Sequence, residues 1–143
     1  MEGEWHHLLS SRRRQFLIMT RINCGVAPAE LPDKILLAEL REIKRVPNAI
    51  RNGRYSLNGI PKEFTLGTGH VKFFYDKLEY LYERYQALRS EALNRGFNVS
   101  DFSEAWDGVP PELMNGYVEK IRDRQIIINR IQERGFELNK TLE

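Results

Sequence analysis

The sequence predicts an all-α fold with three main helices around a single core and long irregular connections between them. Three observations support this prediction. Apolar residues recur at helical spacing in three separate segments. No segment sustains the alternation of apolar and polar residues that is typical of a strand. The length of 143 residues suits one domain that is large enough to bury a hydrophobic core.

The first helix is expected over residues 32–51. Pro32 and Asp33 are typical of a first helical turn. Pro47 lies inside this segment and should kink or interrupt the helix, because proline lacks an N–H group and its ring collides with the preceding turn. The apolar stripe of the segment is formed by Leu36, Leu40, Ile43 and Ile50.

The second helix is expected over residues 71–94, after a connection at 52–69 that is rich in turn-forming residues. Within that connection, residues 64–66 resemble a short strand but would have no partner. Arg95 and Gly96 favour a C-terminal cap in which glycine adopts the left-handed conformation. The apolar stripe of this helix is formed by Phe74, Leu78, Leu81, Tyr85, Leu88 and Ala92.

The third helix is expected over residues 117–134, with Gly135 ending it and a short turn before it at 111–114. The tail at 136–143 offers little to bury. The apolar stripe of this helix is formed by Tyr117, Ile121, Ile128 and Ile131.

Composition excludes several classes of protein. The 22 basic and 20 acidic side chains give a net charge of +2, so a basic nucleic-acid-binding face must be balanced by acidic residues elsewhere. The single Cys24 excludes an internal disulfide and a cysteine-rich zinc site, and it favours a reducing cytosol. No apolar run approaches the roughly 18 residues of a membrane span. Residues 1–18 lack the features of a secretory signal, and His6 and His7 do not have the spacing of most metal sites.

Met19 and Thr20 read like the beginning of a protein although they lie in the interior. Methionine before a small residue is the context in which an initiator methionine is usually removed. Removal would leave Thr20 with a free α-amine of pKa about 8, which is partly an uncharged nucleophile at neutral pH. In the 143-residue chain, the nitrogen of Thr20 is instead an unreactive amide.

Four blocks of sequence point to a known family. They are Met-Thr-Arg-Ile-Asn at 19–23, Leu-Arg-Glu-Ile-Lys-Arg-Val at 40–46, Leu-Gly-Thr-Gly-His-Val-Lys-Phe-Phe-Tyr-Asp-Lys-Leu-Glu at 66–79, and Arg-Gly-Phe-Asn at 95–98. Together they closely resemble the pyrimidine dimer DNA glycosylases of the phage endonuclease V type, over about residues 20–134. Residues 1–18 have no counterpart in that family. We therefore expect an N-terminal extension at 1–18 and a single glycosylase-like domain at 19–143.

The resemblance implies a mechanism and a set of site residues. The α-amine of an N-terminal threonine attacks the anomeric carbon of the damaged nucleotide, an imine forms, and β-elimination nicks the strand. Thr20 would be the nucleophile and Glu42 the catalytic carboxylate. The DNA-binding residues implied by the resemblance are Arg21, Arg41, Arg45, Arg130 and Arg134. The implied partner is damaged double-stranded DNA bound by a cytoplasmic, nucleoid-associated monomer, without a metal, a cofactor or a membrane.

Spacing supports part of this assignment independently. On a helix, Arg41 and Arg45 share a face and Glu42 lies three residues from Arg45. The two cations would favour the ionised form of Glu42, and their guanidinium groups could bind phosphates. Taken alone, such a cluster is more often a solvated ion-pair network worth under about 1 kcal/mol. The surrounding family blocks favour the functional interpretation.

Other features have simpler interpretations. Residues 67–70 could hold a phosphate at a helix start, but a tight turn with His70 packed inside is favoured. The aromatic residues between 73 and 85 could stack on bases, but core packing is favoured for most of them. Cys24 is expected to be a small buried apolar residue.

The chain departs from the phage enzyme at the active site and in the tail. Ile35 occupies the position of a histidine near the active site of that enzyme, and the tail contains only Phe136 as an aromatic residue. This chain also has one residue more between Thr20 and Glu42 than the phage enzyme has. The phage enzyme has a tail rich in Trp and Tyr that contributes to dimer recognition, so the difference in the tail bears on specificity for dimers rather than on glycosylase chemistry. The competing hypotheses are a catalytically silent DNA-damage-binding protein, in which residues 1–19 block Thr20, and a helical interaction protein without a role on DNA.

Overall fold

The computed structural model describes residues 20–140, and this part of the chain is helical without any strand. The all-α fold class is therefore confirmed, and the possible short strand at 64–66 does not form. The α-helices are α1 (Asp33–Glu42), α2 (Arg45–Arg51), α3 (Leu78–Asn94) and α4 (Ile121–Glu133). Short 3-10 turns lie at Pro28–Glu30, Gly67–Gly69, Lys72–Phe74, Ser103–Trp106 and Pro111–Leu113. The last of these confirms the turn expected before the third helix.

The first predicted helix is two helices, and it breaks at Ile43 and Lys44 rather than at Pro47. Proline at 47 cannot donate to the carbonyl of Ile43, and its ring would collide with that carbonyl in a continuous helix. A new helix, α2, therefore begins at Arg45. Pro47 then lies in the first turn of α2, where its missing N–H costs little. The resulting bend, here called the α1–α2 elbow, carries Glu42 on one side and Arg45 on the other.

The second predicted helix begins at Leu78, seven residues later than expected. The preceding stretch forms 3-10 turns instead, and these carry buried aromatic rings into the core. The predicted end of this helix is confirmed. Gly96 has a φ of 90°, the N–H of Phe97 donates to the carbonyl of Ala92 at 3.0 Å, and the N–H of Gly96 donates to that of Leu93 at 3.0 Å. These paired bonds form a Schellman cap.

The third predicted helix begins at Ile121 rather than at 117. Lys120 is still extended, and its N–H donates to the carboxylate of Asp123 at 2.9 Å, which caps the helix start. The predicted apolar stripe is wrong at Ile121, whose exposure is 89%. The buried positions of α4 are Asp123, Ile127 and Ile131.

The core lies between α1 and α3 and is closed by the aromatic turns and by α4. The C-terminal tail contributes more to the packed fold than expected. Phe136 and Leu138 pack against the core, and the N–H of Asn139 donates to the carbonyl of Glu30 at 2.8 Å. No helix within residues 20–140 is long and apolar enough to cross a membrane. Met19 and the extension at 1–18 lie outside the described residues.

Candidate active site

The segment at residues 20–25 lies against the α1–α2 elbow. Thr20 is fully buried. Arg45 extends one guanidinium nitrogen, Nη1, to the hydroxyl of Thr20 at 3.4 Å and toward Oε1 of Glu42 at 3.8 Å. The backbone N–H of Arg21 also donates to the carboxylate of Glu42. Two predicted catalytic residues and two predicted DNA-binding residues are thus brought together around one carboxylate.

Glu42 has a pKa above its ordinary value of 4.5, and burial is the main cause. Arg45, Arg41 and the Arg21 N–H act in the opposite direction, as the spacing predicted, but burial outweighs them. Arg41 itself is exposed in the last turn of α1. A carboxylate with a raised pKa is a better proton acceptor when it is ionised, because basicity rises with the pKa of the conjugate acid.

Arg21, beside this carboxylate, lies close to two further arginines. The pKa of Arg21 is lowered by burial and then by the positive charges of Arg130, in the last turn of α4, and Arg134, just after it, whereas Glu42 raises it. Nη1 of Arg21 is buried and has no hydrogen-bond partner among the described residues. Arg130 is only weakly paired, with Glu133 at 3.9 Å. Mutual repulsion and an unsatisfied donor would both be relieved by a bound anion such as a phosphate.

Side chains from distant parts of the chain hold the segment in place at successive residues. His70 accepts the backbone N–H of Ile22 through Nε2 at 2.8 Å. The amide of Asn23 donates to Oε1 of Glu39 at 2.7 Å. Glu39 in turn forms a buried bidentate pair with Arg84. Burial alone would lower the pKa of Arg84, but the charge of Glu39 and its hydrogen bonds hold it above the ordinary value.

The next two residues are held by α4 and the loop before it. The thiol of Cys24 lies 3.8 Å from Oδ2 of Asp123, and burial raises its pKa to about 12, so the thiol is an inert core group as expected. The N–H of Gly25 donates to Oε2 of Glu119 at 2.8 Å, and its carbonyl accepts from Arg124 at 3.3 Å. Residues 22–25 are therefore fixed by α1, α3, α4 and the turn at His70.

The sequence contained a signal for Glu39 and Arg84 that the prediction did not use. Glu39 falls within the apolar stripe of α1, between Leu36 and Ile43, and Arg84 falls within that of α3. A charged residue at a core position must be paired, since an isolated buried charge is very costly. Two such residues of opposite sign on different helices predict a buried ion pair.

His70 is packed inside the turn at 67–70, which is the interpretation that the sequence favoured. It is buried, and its ring contacts Phe64 and Phe74 edge-on. Because Nε2 accepts from Ile22, Nδ1 must carry the proton that bridges to the carbonyl of Thr65 at 2.8 Å. Burial lowers the pKa of His70 to about 4, although the Thr65 bond acts in the opposite direction, so the ring is neutral at pH 7.

The aromatic residues expected to pack in the core do so. Phe73, Tyr75, Tyr80 and Tyr85 are buried, and Tyr82 is partly buried against Trp106.

Within residues 20–140 no group of three or more His, Cys, Asp and Glu side chains could hold a metal ion. Cavities of about 350 and 390 Å³ lie elsewhere, one beside Arg89 and the other beside Phe102.

Comparison with known families gives a match that begins at Met19. A protein-family model described as pyrimidine dimer DNA glycosylase matches residues 19–105. The match spans more than half of the 143 residues and includes Thr20, Glu42, Arg45 and His70. It starts at Met19, so residues 1–18 lie outside it, as do Arg130 and Arg134.

Proposed function

Because the chain belongs to the pyrimidine dimer DNA glycosylase family, we propose that it removes dimerised pyrimidines from duplex DNA and then nicks the strand as an abasic-site lyase. The nucleophile is the α-amine of Thr20, in the form of the protein that begins at this residue. The observation that carries the proposal is the placement of Thr20 and Arg21 against Glu42 and Arg45.

The first step forms a bond between the Thr20 nitrogen and C1′ of the damaged nucleotide. The bond from C1′ to the base breaks, and the base leaves with the electron pair. Loss of a proton from the amine and opening of the sugar ring give an imine between the protein and the DNA. In this proposal, an ionised Glu42 stabilises the positive charge that develops at the sugar.

The second step is β-elimination from the imine. A base removes a proton from C2′, the C3′–O bond breaks, and the 3′ phosphate leaves. Water then hydrolyses the imine and regenerates the amine. Glu42 is the base in this proposal, which suits its raised pKa. Arg21, Arg41, Arg45, Arg130 and Arg134 bind the flanking phosphates and hold the distorted duplex from which a base is extruded.

The proposal is tested by trapping the imine. Dimer-containing DNA is incubated with protein that begins at Thr20, borohydride is added, and a covalent protein–DNA adduct is sought. The matched control is protein that begins at Thr20 and carries an acetyl group on its α-nitrogen, because it differs only by the block on that nitrogen. We expect an adduct from the first protein and none from the second. No adduct from the first protein would refute the proposal, and adducts from both would assign the chemistry to another amine.

A second candidate function follows from the peptide bond between Met19 and Thr20 in the 143-residue chain. If this bond persists, the same arginines would bind damaged DNA without cleaving it. Mass analysis of the N-terminus of the natively expressed protein distinguishes the two. A mass that begins at Thr20 supports the enzyme, whereas an intact chain that binds damaged DNA and yields no adduct supports the binding protein.

A further inference from the structure

One imidazole anchors the backbone directly after Thr20 and Arg21, the two residues that contact Arg45 and Glu42. His70 accepts the N–H of Ile22 at 2.8 Å, and Ile22 lies two residues from Thr20. We infer that His70 is a positioning residue, whose Nε2 fixes the backbone at Ile22 and thereby sets the approach of the Thr20 amine to the sugar. This inference rests on the proposed function, since it assigns His70 a role in placing the same amine.

The ring is built to present a single acceptor at a fixed point. Its Nδ1–H is committed to the carbonyl of Thr65 at 2.8 Å, so the lone pair on Nε2 must face Ile22. Edge contacts with Phe64 and Phe74 hold the ring plane from two sides. The neutral state follows from burial, which lowers the pKa of His70 to about 4 and keeps Nε2 available as an acceptor at neutral pH.

The other anchors cannot replace this bond. Asn23 and Gly25 are held by Glu39 and Glu119, but both lie farther along the chain from Thr20. An extended chain spans about 3.3–3.6 Å per residue, so the anchor at Ile22 is roughly 7 Å from the nucleophile and the one at Asn23 about 10 Å. Without the His70 bond, Ile22 would shift relative to Asn23, and the contacts of Thr20 with Arg45 and of Arg21 with Glu42 would not fix the backbone at Ile22. A misplacement of about 1 Å at a reacting centre can cost about 100-fold in rate.

Two substitutions separate positioning from packing. In His70→Gln the side-chain oxygen reaches the place of Nε2 and can accept from Ile22, but the bond to Thr65 is lost. In His70→Asn the shorter amide can donate to Thr65, but it does not reach Ile22. Each variant thus loses one hydrogen bond and leaves a small void, so their stabilities should be similar. Tyr85→Phe is a further control, because it removes the phenolic hydroxyl that accepts the N–H of Phe102, far from Thr20 in the chain.

The assay is single-turnover imine trapping on saturating dimer-containing DNA, with protein that begins at Thr20. We expect His70→Asn to form the adduct about tenfold or more slowly than His70→Gln, with Kd for that DNA changed less than about threefold. Tyr85→Phe should lower Tm without lowering the rate. Equal rates in the Asn and Gln variants, together with an active wild type, would overturn the role of His70 and leave the proposed function standing.

A measurement on the wild type tests the same inference without activity. An N–H···N hydrogen bond transmits a scalar coupling, so NMR should detect coupling between the Ile22 amide nitrogen and Nε2 of His70. Absence of that coupling in the folded protein would overturn the inference even if the variants fail to fold. Absence of any adduct from the wild type that begins at Thr20 would instead refute the proposed function and, with it, this role.

Discussion

Lowering the pH should destabilise the protein through His70 before most carboxylates titrate. The ordinary histidine pKa of 6.5 falls to about 4 in the folded state, mainly because the ring is buried. Between these two values the unfolded chain binds a proton that the folded chain does not. The stabilisation from the neutral ring is therefore complete above about pH 6.5 and is lost progressively as the pH falls toward 4.

The size of the effect follows from the two pKa values. The difference between 6.5 and about 4 corresponds to about 3 kcal/mol when titration is complete. At pH 5 the linkage relation gives a loss of about 2 kcal/mol relative to pH 7.5. The carboxyl groups of Glu30 and Asp101, whose pKa values are lowered by hydrogen bonding, contribute mostly at lower pH.

The assay is urea unfolding of protein that begins at Thr20, at pH 7.5 and pH 5. His70 is the only histidine in that form, because His6 and His7 are absent from it. We expect the wild type to lose about 2 kcal/mol over this range and His70→Gln to lose much less, since glutamine does not titrate. An equal loss in both proteins would show that His70 is not the source, and the reasoning from its burial would be wrong.

Four further predictions concern the site and its anchors. Glu42→Gln should slow imine trapping by at least about 100-fold while Kd for damaged DNA changes less than about threefold, and an unchanged rate would contradict the proposed role. Arg130→Ala and Arg134→Ala should each lower the slope of log K against log salt by about 1, as measured by binding titrations at several salt concentrations. Glu39→Gln should reduce the free energy of unfolding by about 3 kcal/mol, because it leaves the buried charge of Arg84 without its main partner. Gly25→Ala should lower the free energy of unfolding by more than about 2 kcal/mol, and Gly135→Ala by only about 1 kcal/mol, as measured by urea unfolding. Both glycines have positive φ, but of the two only Gly25 would place a Cβ 2.7 Å from a backbone atom, the nitrogen of Arg124.

Periodicity predicted the helices better than it predicted where they begin. The stripes of the first two helices are buried as expected, and the glycines at 96 and 135 end their helices. The starts at Leu78 and Ile121 were missed because apolar residues upstream continue a helical spacing while belonging to 3-10 turns or loops. Spacing alone does not distinguish these states, since both bury a residue every three or four positions.

The site was predicted mainly from family blocks, and its supports were not. Geometry brings Thr20, Arg21, Glu42 and Arg45 together, as the resemblance implied, but their catalytic and DNA-binding roles stay predictions. The anchors at His70, Glu39 and Glu119 depend on contacts between residues far apart in the chain. No local pattern encodes such pairings, because they depend on how the helices pack.

The hydrogen bonds that hold residues 22–25 also bear on the order in which parts of the protein fold during synthesis. Gly25 is hydrogen-bonded to Glu119 and Arg124, and Cys24 to Asp123. These bonds can form only after nearly the whole chain has been synthesised. Contacts of such large sequence separation form late. Until then the contacts that enclose Thr20 are incomplete, whereas in the finished fold Thr20 is fully buried. In the proposed function, removal of Met19 therefore belongs to the interval before the last helix docks.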